Sequence, residues 1–468
     1  ESRGLGDVYK RQIYIQGRRR IGKTELLREF CRNLNAFYFF TGRDTEAGFL
    51  ERFSAEVSRD TSFGPYIRFQ SIDEAFEFIF SRLIPAKDVV IFDEFQNFAA
   101  IHPSSFSRFQ MFWDRLPPES AGMLVACGSM QSLMHTIFEG LKEPLYKRAT
   151  GRLVIGEFSP LSVHRLLSER FDSGGSRYFF DLYSVFGGVP FYYSLIDAAG
   201  LAGRPLTDIL RVLAFDKSGV LYDEGSDIAM EAMGKSHAIF FSIMSAVAAG
   251  RNKYSEILSA SGVAAGSLEK YLDQLVSTYG FLSRKNTVFS KKQTSRISRY
   301  EFADSFLSFW FRFVHRNRSM LEIGGGDRLV TSMNHELSSW QGHAWEKTVM
   351  NLLAERNNAG AFEYPFTRIG PHFNQNGSAD IDVVMINDDD RTCAAAECKL
   401  NLNTCNIPAV AGELTEKAAR LPMKVKKKYL FSVEPITDQT REYLSRHEGI
   451  TAIDLDYLLS AEDAGDFT

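Results

Sequence analysis

One short segment near the start of the chain constrains its fold more than any other. Residues 17–24 read Gly-Arg-Arg-Arg-Ile-Gly-Lys-Thr, follow the apolar run Ile13–Gln16, and open the helical stretch Thr24–Asn33. A strand, a glycine-rich loop ending in Lys-Thr and a helix, in that order, are typical of a phosphate-binding loop, because backbone N–H groups and the helix N-terminus favour an anion there. The segment therefore predicts a nucleotide site.

The motif assigns a role to each of its main residues. Gly17 and Gly22 let the backbone curl around a β-phosphate, and Lys23 reaches the β- and γ-phosphates. Thr24 is expected to ligate Mg²⁺ through its hydroxyl. The predicted ligands are therefore ATP and Mg²⁺.

Two acids follow a second apolar strand, predicted over Asp88–Asp93. Since the carboxyl ends of parallel strands deliver polar groups to one edge of a sheet, Asp93 is expected to hold Mg²⁺ through water. Glu94 is placed to polarise the attacking water, which distinguishes a hydrolase from a nucleotide sensor. The alternative is an acidic turn after a strand.

Three further residues are candidates for contact with the γ-phosphate. Ser129 ends the next predicted strand and is assigned a reporting role, with a simple Gly-Ser turn as the alternative. Arg148 or Arg152 is a candidate cationic finger in the same or a neighbouring subunit, so a homo-oligomer is among the predicted assemblies. The alternative is a solvated surface arginine.

Apolar runs alternate with helical stretches in the first third of the chain, which predicts an α/β fold with a parallel sheet. The predicted strands are Ile13–Gln16, Ala36–Phe40, Asp88–Asp93, Gly122–Ser129 and Arg152–Phe158. Domains are predicted at 1–158 for the P-loop core, 159–235 for a helical lid, 236–324 for a winged helix and 325–468 for a C-terminal α/β domain. The run Ser2–Gln12 has no apolar periodicity, and its part Gly4–Gln12 resembles translated adapter sequence, so it is left out of the fold prediction, with the native N-terminus expected to be missing.

Composition limits the compartment and the partners that we predict for the protein. No stretch approaches the roughly 20 apolar residues of a membrane span, so no membrane partner is predicted. Five cysteines, an odd number, indicate a reducing compartment, and we predict a cytoplasmic location. Because the formal net charge is −4, any contact with nucleic acid requires a local basic patch.

A winged helix is predicted in the third quarter of the chain. Tyr254–Ala260 and Ala265–Tyr279 are the predicted helices, and the polar run Lys285–Arg299 is typical of a β-wing. The candidate contacts with DNA phosphates are Lys270, Lys291, Lys292, Arg296 and Arg299. A purely architectural role for this segment is the alternative.

Three C-terminal strands are predicted, near 381–386, 393–398 and 429–433, and the first two carry the residues of a second candidate site. Strand alternation puts Glu397 and Lys399 on one face. Asp382 and Glu397 are candidate ligands of a divalent metal, and Lys399 is placed to activate water against a phosphodiester. The segment predicts metal-dependent hydrolysis.

The motifs together resemble known families. The P-loop string, Phe92-Asp-Glu-Phe-Gln, Cys127-Gly-Ser and Phe186-Gly-Gly-Val-Pro-Phe-Tyr resemble the archaeal and bacterial AAA-type ATPase family, which implies a P-loop domain, a winged helix and a C-terminal domain of unknown function. Residues 335–457 resemble the restriction-endonuclease-like nucleases, with their Asp and Glu-x-Lys motif. That resemblance implies a helical acid at Glu346, which would join the metal site.

Two hypotheses about function follow. In the first, an ATPase places an active, metal-dependent nuclease domain on DNA. In the second, ATP controls assembly or partner binding, and the nuclease fold is inert and keeps its acids for structure.

Overall fold

The computed structural model describes residues 11–117, 122–129, 131–171, 175–233, 237–290, 298–362, 365–374 and 380–460, without the side chains of Gln131, Ser132, His447 and Glu448. The chain forms two compact units, Glu1–Glu157 and Phe158–Thr468. The α/β fold class is confirmed. The finer boundaries predicted at 235 and 324 stay predictions.

The strands and helices have the following bounds. The first unit contains β1 (Arg11–Gln16), β2 (Ala36–Phe40), β3 (Val89–Asp93), β4 (Met123–Gly128) and β5 (Gly151–Val154), with α1 (Lys23–Phe30), α2 (Glu46–Arg59), α3 (Ile72–Phe78), α4 (Ile84–Ala86), α5 (Phe98–Ile101), α6 (Ser105–Arg115) and α7 (Gln131–Glu139). The helices of the second unit are α8 (Pro160–Phe171), α9 (Ser176–Phe186), α10 (Pro190–Ala198), α11 (Leu206–Leu210), α12 (Glu224–Met233), α13 (His237–Ala248), α14 (Tyr254–Ser261), α15 (Ala265–Asp273), α16 (Ser305–Phe309), α17 (Arg318–Glu322), α18 (Gly326–Asn358), α19 (Ile407–Ala419), α20 (Asp438–Tyr443) and α21 (Leu455–Ser460). Its strands are β6 (Leu282–Lys285), β7 (Arg299–Phe302), β8 (Arg368–His372), β9 (Ile381–Asn387), β10 (Thr392–Lys399), β11 (Lys424–Ser432) and β12 (Ile450–Asp454).

The first sheet has the order β2-β3-β4-β1-β5 among the described residues, and its neighbouring strands are parallel. Every residue of β3 is buried, as expected for a central strand covered on both faces. Because β4 lies between β1 and β3, the residue after β4 emerges between the loop that follows β1 and the acids that end β3. This order brings the candidate nucleotide residues to one edge.

Helices cover the two faces of the first sheet unequally. One face carries a large aromatic core, in which Phe53 and Phe98 are fully buried. Leu27 of α1 packs on the other face with Ile15 and Val125. Leu27, buried against the sheet, therefore anchors the helix whose first residues complete the P-loop.

Several predicted bounds are corrected. The first strand begins at Arg11, two residues before the predicted start, because Arg11 and Gln12 pair with Met123 and Leu124 of β4. Gln12 is fully buried, so excluding it from the fold was wrong. The last strand of the sheet ends at Val154 instead of Phe158, since β1, its pairing partner, ends at Gln16.

In the second unit, one hydrophobic core joins the helical region to the C-terminal sheet. It includes Phe180 of α9, Phe306 of α16, Trp345 of α18 and Tyr429 of β11. The rings of Phe180 and Trp345 meet edge to face, with centroids 5.5 Å apart. Burial of such large aromatic side chains stabilises the unit as a continuous body.

The C-terminal sheet has the order β12-β11-β10-β9-β8 within the described ranges. Strands β10, β11 and β12 are parallel, and β9 runs antiparallel to β10. Helix α18 packs on one face through Trp345, and α19 packs on the other through Leu414. Strands β8 and β12 were not predicted. Strand β11 begins at Lys424 instead of near residue 429, and its early part was missed because lysine is depleted in strands.

Candidate functional site

The P-loop backbone requires glycine at its first position. A Cβ atom on Gly17 would lie 2.8 Å from the carbonyl oxygen of Ile155, closer than a side chain tolerates. Gly22, at the N-cap of α1, has φ of 92°, a left-handed conformation that glycine adopts without strain. The two glycines that the sequence singled out are therefore the positions where the backbone turns tightly.

Lys23 is buried at the base of this loop. Its ammonium donates hydrogen bonds to the carbonyl oxygens of Gly17 at 2.8 Å and Arg18 at 3.0 Å. Burial lowers the pKa of Lys23, while the carboxylates of Glu94 and Asp93 act in the opposite direction. The structure thus holds the lysine inside the curl of the loop, beside two acids.

Asp93 is held by three donors at the end of β3. Its Oδ2 atom accepts hydrogen bonds from the Thr24 hydroxyl at 3.2 Å and the Tyr38 hydroxyl at 2.7 Å. Its Oδ1 atom accepts from the backbone N–H of Glu94 at 2.9 Å. Thr24 and Asp93, predicted to share a metal, are therefore in contact. Tyr38 was missed because an aromatic residue in an edge strand reads only as a packing residue.

Glu94 directly follows Asp93, the last residue of β3. Its backbone is left-handed, with φ of 53°, which is uncommon for a residue with a side chain. The Ser129 hydroxyl donates a hydrogen bond of 2.8 Å to Oε2 of Glu94, and the amide of Gln96 donates to the same oxygen. Ser129 and Glu94, predicted separately, thus contact each other, and Gln96 is a further member that had no sequence signal.

Arg148 has its donors engaged inside the first unit. It binds both carboxylate oxygens of Asp114 at 2.9 Å, and it also donates to the carbonyl oxygen of Pro144 at 2.8 Å. Arg152 pairs with Glu139 at 2.9 Å. Contact of either arginine with a nucleotide stays a prediction, and Arg148 would have to leave a bidentate ion pair to make it.

The donor set at this edge fits a nucleoside triphosphate with Mg²⁺. Lys23 supplies a fixed positive charge, and Thr24 with Asp93 supplies oxygen ligands of the kind that Mg²⁺ prefers. The side-chain oxygens of Gln16 and Gln96 are buried there without a hydrogen-bond partner among the described residues. These acceptors would be satisfied by ligand-bound water.

The second candidate site lies at the end of β10. Oδ2 of Asp382 accepts a hydrogen bond of 2.8 Å from the backbone N–H of Cys398. Glu397 is buried, and its carboxylate contacts the ammonium of Lys399 at 3.1 Å and that of Lys417 at 3.0 Å. The predicted grouping of Asp382, Glu397 and Lys399 is present. Lys417, on α19, was missed because helix and strand lie far apart in sequence.

Electrostatics link Glu346 to this group. Burial, and next the charge of Asp382, raise the pKa of Glu346 well above its ordinary value. Burial and the neighbouring Glu397 raise the pKa of Asp382 to about 6. The carboxylates of Glu397 and Asp382 outweigh the effect of burial and raise the pKa of Lys399.

The prediction that Glu346, Asp382 and Glu397 form one metal group is corrected in part. No three His, Cys, Asp or Glu side chains of the described residues are arranged to hold a metal ion together. The physical reason is that Glu397 is paired with Lys399 and Lys417, which occupy its two oxygens. The acids interact through their charges, but the lysines take the positions next to Glu397.

The segment predicted as a wing contacts the C-terminal sheet. Arg299 of β7 pairs with Asp380 at 2.6 Å, and its guanidinium lies 4.2 Å from the ring centroid of Phe373. The backbone N–H of Val288 donates to the carbonyl oxygen of Pro371 in β8 at 2.9 Å. This part of the segment therefore has an architectural contact.

The basic candidates in this segment differ in whether the structure describes them and in how exposed they are. Lys291, Lys292 and Arg296 lie outside the described residues. Lys270 is exposed on α15. Arg299, in contrast, would have to leave Asp380 to contact a phosphate, so it is less available than Lys270.

Within the described ranges, no helix combines the length and apolar character that crossing a membrane requires.

Comparisons with known proteins identify two parts of the chain. Residues 8–195 match a family described as an ATPase domain predominantly from Archaea. Residues 310–408 match a family described as archaeal and bacterial proteins of unknown function. An uncharacterised protein of Methanocaldococcus jannaschii is 27% identical over 392 residues, which span 83% of this chain and 82% of that protein.

Solved structures show distant similarity. A Walker-type ATPase of Pyrococcus abyssi has 17% identity and a TM-score of 0.47, over 64% of this chain and 91% of that one. The ORC2 protein of Aeropyrum pernix, in complexes with ADPNP and ADP, has 12% identity and a TM-score of 0.43, over 70% of this chain and 90% of that one. The chain is therefore similar in residues 8–195 to an ATPase domain predominantly from Archaea, and in residues 310–408 to archaeal and bacterial proteins of unknown function.

Proposed function

We propose that the first unit binds ATP with Mg²⁺ and hydrolyses the β–γ phosphoanhydride bond. The observation that carries this proposal is the contact of 3.2 Å between the hydroxyl of Thr24 and Oδ2 of Asp93, with Lys23 and Glu94 adjacent. A helix N-terminus, a buried ammonium and a pair of oxygen ligands converge on one sheet edge, as phosphoryl transfer requires.

Each residue has a defined task in this proposal. Lys23 neutralises the β- and γ-phosphates, while Thr24 and Asp93 would hold the metal ion, Asp93 through water. Glu94 orients and polarises the attacking water, and Ser129 holds the Glu94 carboxylate toward the γ-phosphate position. Mg²⁺, when bound, neutralises charge on the phosphate oxygens.

ATP binding and turnover by the full chain test this proposal. Lys23→Ala should abolish tight ATP binding, because the phosphates lose the buried cation of the motif. Equilibrium binding of a fluorescent ATP analogue, with phosphate release measured alongside, gives both quantities. The control is Arg28→Ala, an exposed residue one turn further along α1 that pairs with Glu25. Equal affinity in wild type and Lys23→Ala would reject the P-loop assignment.

A second function is favoured by the C-terminal site. We infer that Asp382 and Glu397 bind a divalent cation and that Lys399 acts on water or on transition-state charge during phosphodiester hydrolysis. The raised pKa of Asp382 and Glu346 supports this inference, since a cation would relieve the repulsion between these buried acids. The cation would have to displace Lys399 or Lys417 from Glu397.

The competing function is an ATP-controlled switch with an inert C-terminal domain. Two lysines already compensate Glu397, and this arrangement would also suit a site that has lost its metal. Cleavage of single- and double-stranded DNA and RNA, with Mg²⁺, Mn²⁺ or EDTA and with or without ATP, separates the two. Activity that disappears in EDTA and in Asp382→Ala supports cleavage. Its complete absence under all conditions supports the switch.

DNA contact through the predicted winged helix is the remaining part of the proposal. Neutralising Lys291, Lys292 and Arg296 together should weaken DNA binding and flatten its salt dependence. Each phosphate contact that is lost leaves the counterions of that phosphate on the DNA, so fewer counterions are released on binding. Unchanged binding would support the architectural role, which the ion pair between Arg299 and Asp380 already favours.

A further inference from the structure

The beginning of β11 presents a row of lysines at an open strand edge. Lys424, Lys426, Lys427 and Lys428 fall within five consecutive residues. Strand β12 pairs with β11 only from Lys428 onward, so among the described residues the preceding part of β11 has no strand on that side. Four ammonium groups and an unpaired backbone edge therefore occur together.

A β-bulge spreads these lysines. Cys393 of β10 pairs with Val425, while the next residue, Ala394, pairs with Lys427, so Lys426 is an additional residue in β11. A bulge bends its strand and increases the local twist. The bulge therefore interrupts the strict alternation of these lysines between the two faces of the sheet.

The lysines line a cavity of about 380 Å³ between the strand and α19. Thr415, Ala418 and Ala419 of α19 form its other wall. Small side chains on that wall leave room for a bulky, charged group to approach the ammonium groups. The hydroxyl of Thr415 accepts a hydrogen bond of 2.7 Å from Lys428.

Part of the positive charge of this row lacks a carboxylate partner among the described residues. The carboxylate of Asp390 lies 3.7 Å from the ammonium of Lys426. Lys424 and Lys427 have no carboxylate partner in the part of the chain that the structure describes. Since the whole chain has a formal net charge of −4, this is a local excess of positive charge.

Helix α19 connects the lysine row with the second candidate site. Lys417 of α19 contacts Glu397, while Thr415, two residues earlier, contacts Lys428. Two sides of one helical turn therefore face the acids and the lysine row.

We propose that the lysine row, Lys424 to Lys428, binds the phosphate backbone of nucleic acid. Five residues of a strand span roughly 13 Å, which is enough for two or three successive phosphates. The use of this surface to present a strand to Asp382 and Glu397 rests on the proposed cleavage, but the binding itself does not.

Protection of the open strand edge is the alternative explanation of the same lysines. Charged residues on an open edge prevent pairing with another chain. That role predicts self-association when the lysines are removed, with no change in nucleic-acid binding. The two explanations therefore differ in what they expect of the same variant.

The test is binding of a fluorescent 30-base-pair DNA duplex to the full chain in EDTA, which prevents metal-dependent cleavage. Lys424→Gln, Lys426→Gln and Lys427→Gln are combined, and the anisotropy is followed from about 50 to 200 mM NaCl. We expect binding at least ~10-fold weaker and a salt slope, log K against log [NaCl], reduced by about 2 to 3. The matched control combines Arg165→Gln, Arg170→Gln and Arg204→Gln, which removes the same charge from exposed positions on α8 and in the bend before α11.

Unchanged affinity and salt slope in the folded triple variant would overturn the proposal, and self-association of that variant would then assign the lysines to edge protection. Acetylation of lysines in the unmodified chain, read by mass spectrometry, provides a measurement that needs no variant. The duplex should protect Lys424 and Lys427 from acetylation. Equal acetylation with and without DNA would also overturn the proposal. Intact binding with no cleavage in Mg²⁺ or Mn²⁺ would reject the proposed cleavage and leave this inference standing.

Discussion

The hydroxyl of Thr24 and the carboxylate of Asp93 are 69 positions apart in sequence and 3.2 Å apart in space. Parallel pairing brings them together, because β1 and β3 end at the same edge of the sheet with β4 between them. The contact joins the two halves of the candidate magnesium site before any ligand is considered.

Glu94→Gln should bind ATP with nearly unchanged affinity and hydrolyse it at least ~10²-fold more slowly, the usual scale for the loss of a positioned general base. Glutamine keeps the shape of the side chain but cannot accept a proton. Phosphate release and nucleotide binding are measured on the same preparation. Glu77→Gln, an exposed position on α3, is the matched control. Full turnover in Glu94→Gln would assign the orientation of water to another residue.

Tyr38→Phe should lower the apparent affinity for Mg²⁺ in ATP turnover without unfolding the chain. Tyr38 donates one of the two hydrogen bonds to Oδ2 of Asp93, so its loss leaves the carboxylate less well oriented. We expect the Mg²⁺ concentration for half-maximal activity to rise by about 3- to 10-fold, which corresponds to the roughly 0.5 to 1.5 kcal/mol of one typical hydrogen bond. Tyr66→Phe, at a side chain that is 94% exposed, should change nothing. An identical Mg²⁺ profile in both variants would make Tyr38 a packing residue.

Asp382→Asn should stabilise the metal-free protein near neutral pH. Burial and Glu397 raise the pKa of Asp382 to about 6, so between its ordinary value and pH 6 the folded state binds more protons than the unfolded state. Stability of the wild type should therefore fall as pH rises through this range. The variant should gain about 1 to 3 kcal/mol near pH 7.5 and almost nothing near pH 4.

Urea unfolding in EDTA at several pH values measures this difference. Asp389→Asn, at an exposed position in the turn after β9, is the control and should follow the wild type. A loss of stability in Asp382→Asn at neutral pH would show that the carboxylate is well compensated in the folded state. The inert-domain reading would then be preferred.

Lys417→Met should raise the affinity of the C-terminal site for Mn²⁺. The ammonium of Lys417 lies 3.0 Å from Glu397 and competes with a cation for that carboxylate. Removing a unit positive charge at this distance should tighten binding by roughly 10-fold in a partly buried site. Electron paramagnetic resonance of free Mn²⁺ measures the affinity, with Lys217→Met at an exposed turn as control. Weaker or absent Mn²⁺ binding in Lys417→Met would contradict the proposed competition.

Arg299 and Asp380 should be energetically coupled. Their ion pair is partly buried and is supported by the ring of Phe373, so a double-mutant cycle with Arg299→Ala and Asp380→Ala should give a coupling of about 0.5 to 1.5 kcal/mol. Arg299→Lys should recover only part of it, since lysine lacks the planar guanidinium. A coupling near zero would mean that Arg299 is held weakly enough to contact DNA.

The nucleotide residues were predictable because local spacing carries their geometry. In residues 17–24, the strand, the loop and the helix are contiguous, and Lys23 needs only the curl of the loop to reach its position. The buried run that ends at Asp93 was similarly recognisable as a central strand. Arg11 and Gln12 were excluded because the run from Ser2 to Gln12 lacked apolar periodicity, yet pairing with β4 makes them part of a strand.

Sequence alone thus determined the P-loop, the order of strands and helices around it, and the alternation that puts Glu397 and Lys399 on one face. The tertiary structure decided which distant side chains complete these groups: Tyr38 on Asp93, Gln96 on Glu94, Lys417 on Glu397 and Asp380 on Arg299. The physical reason is the distance along the chain over which each of these signals acts. Propensity and periodicity act over a few residues, whereas a carboxylate's partners are set by sheet order and helix packing, which bring together residues that no local pattern relates.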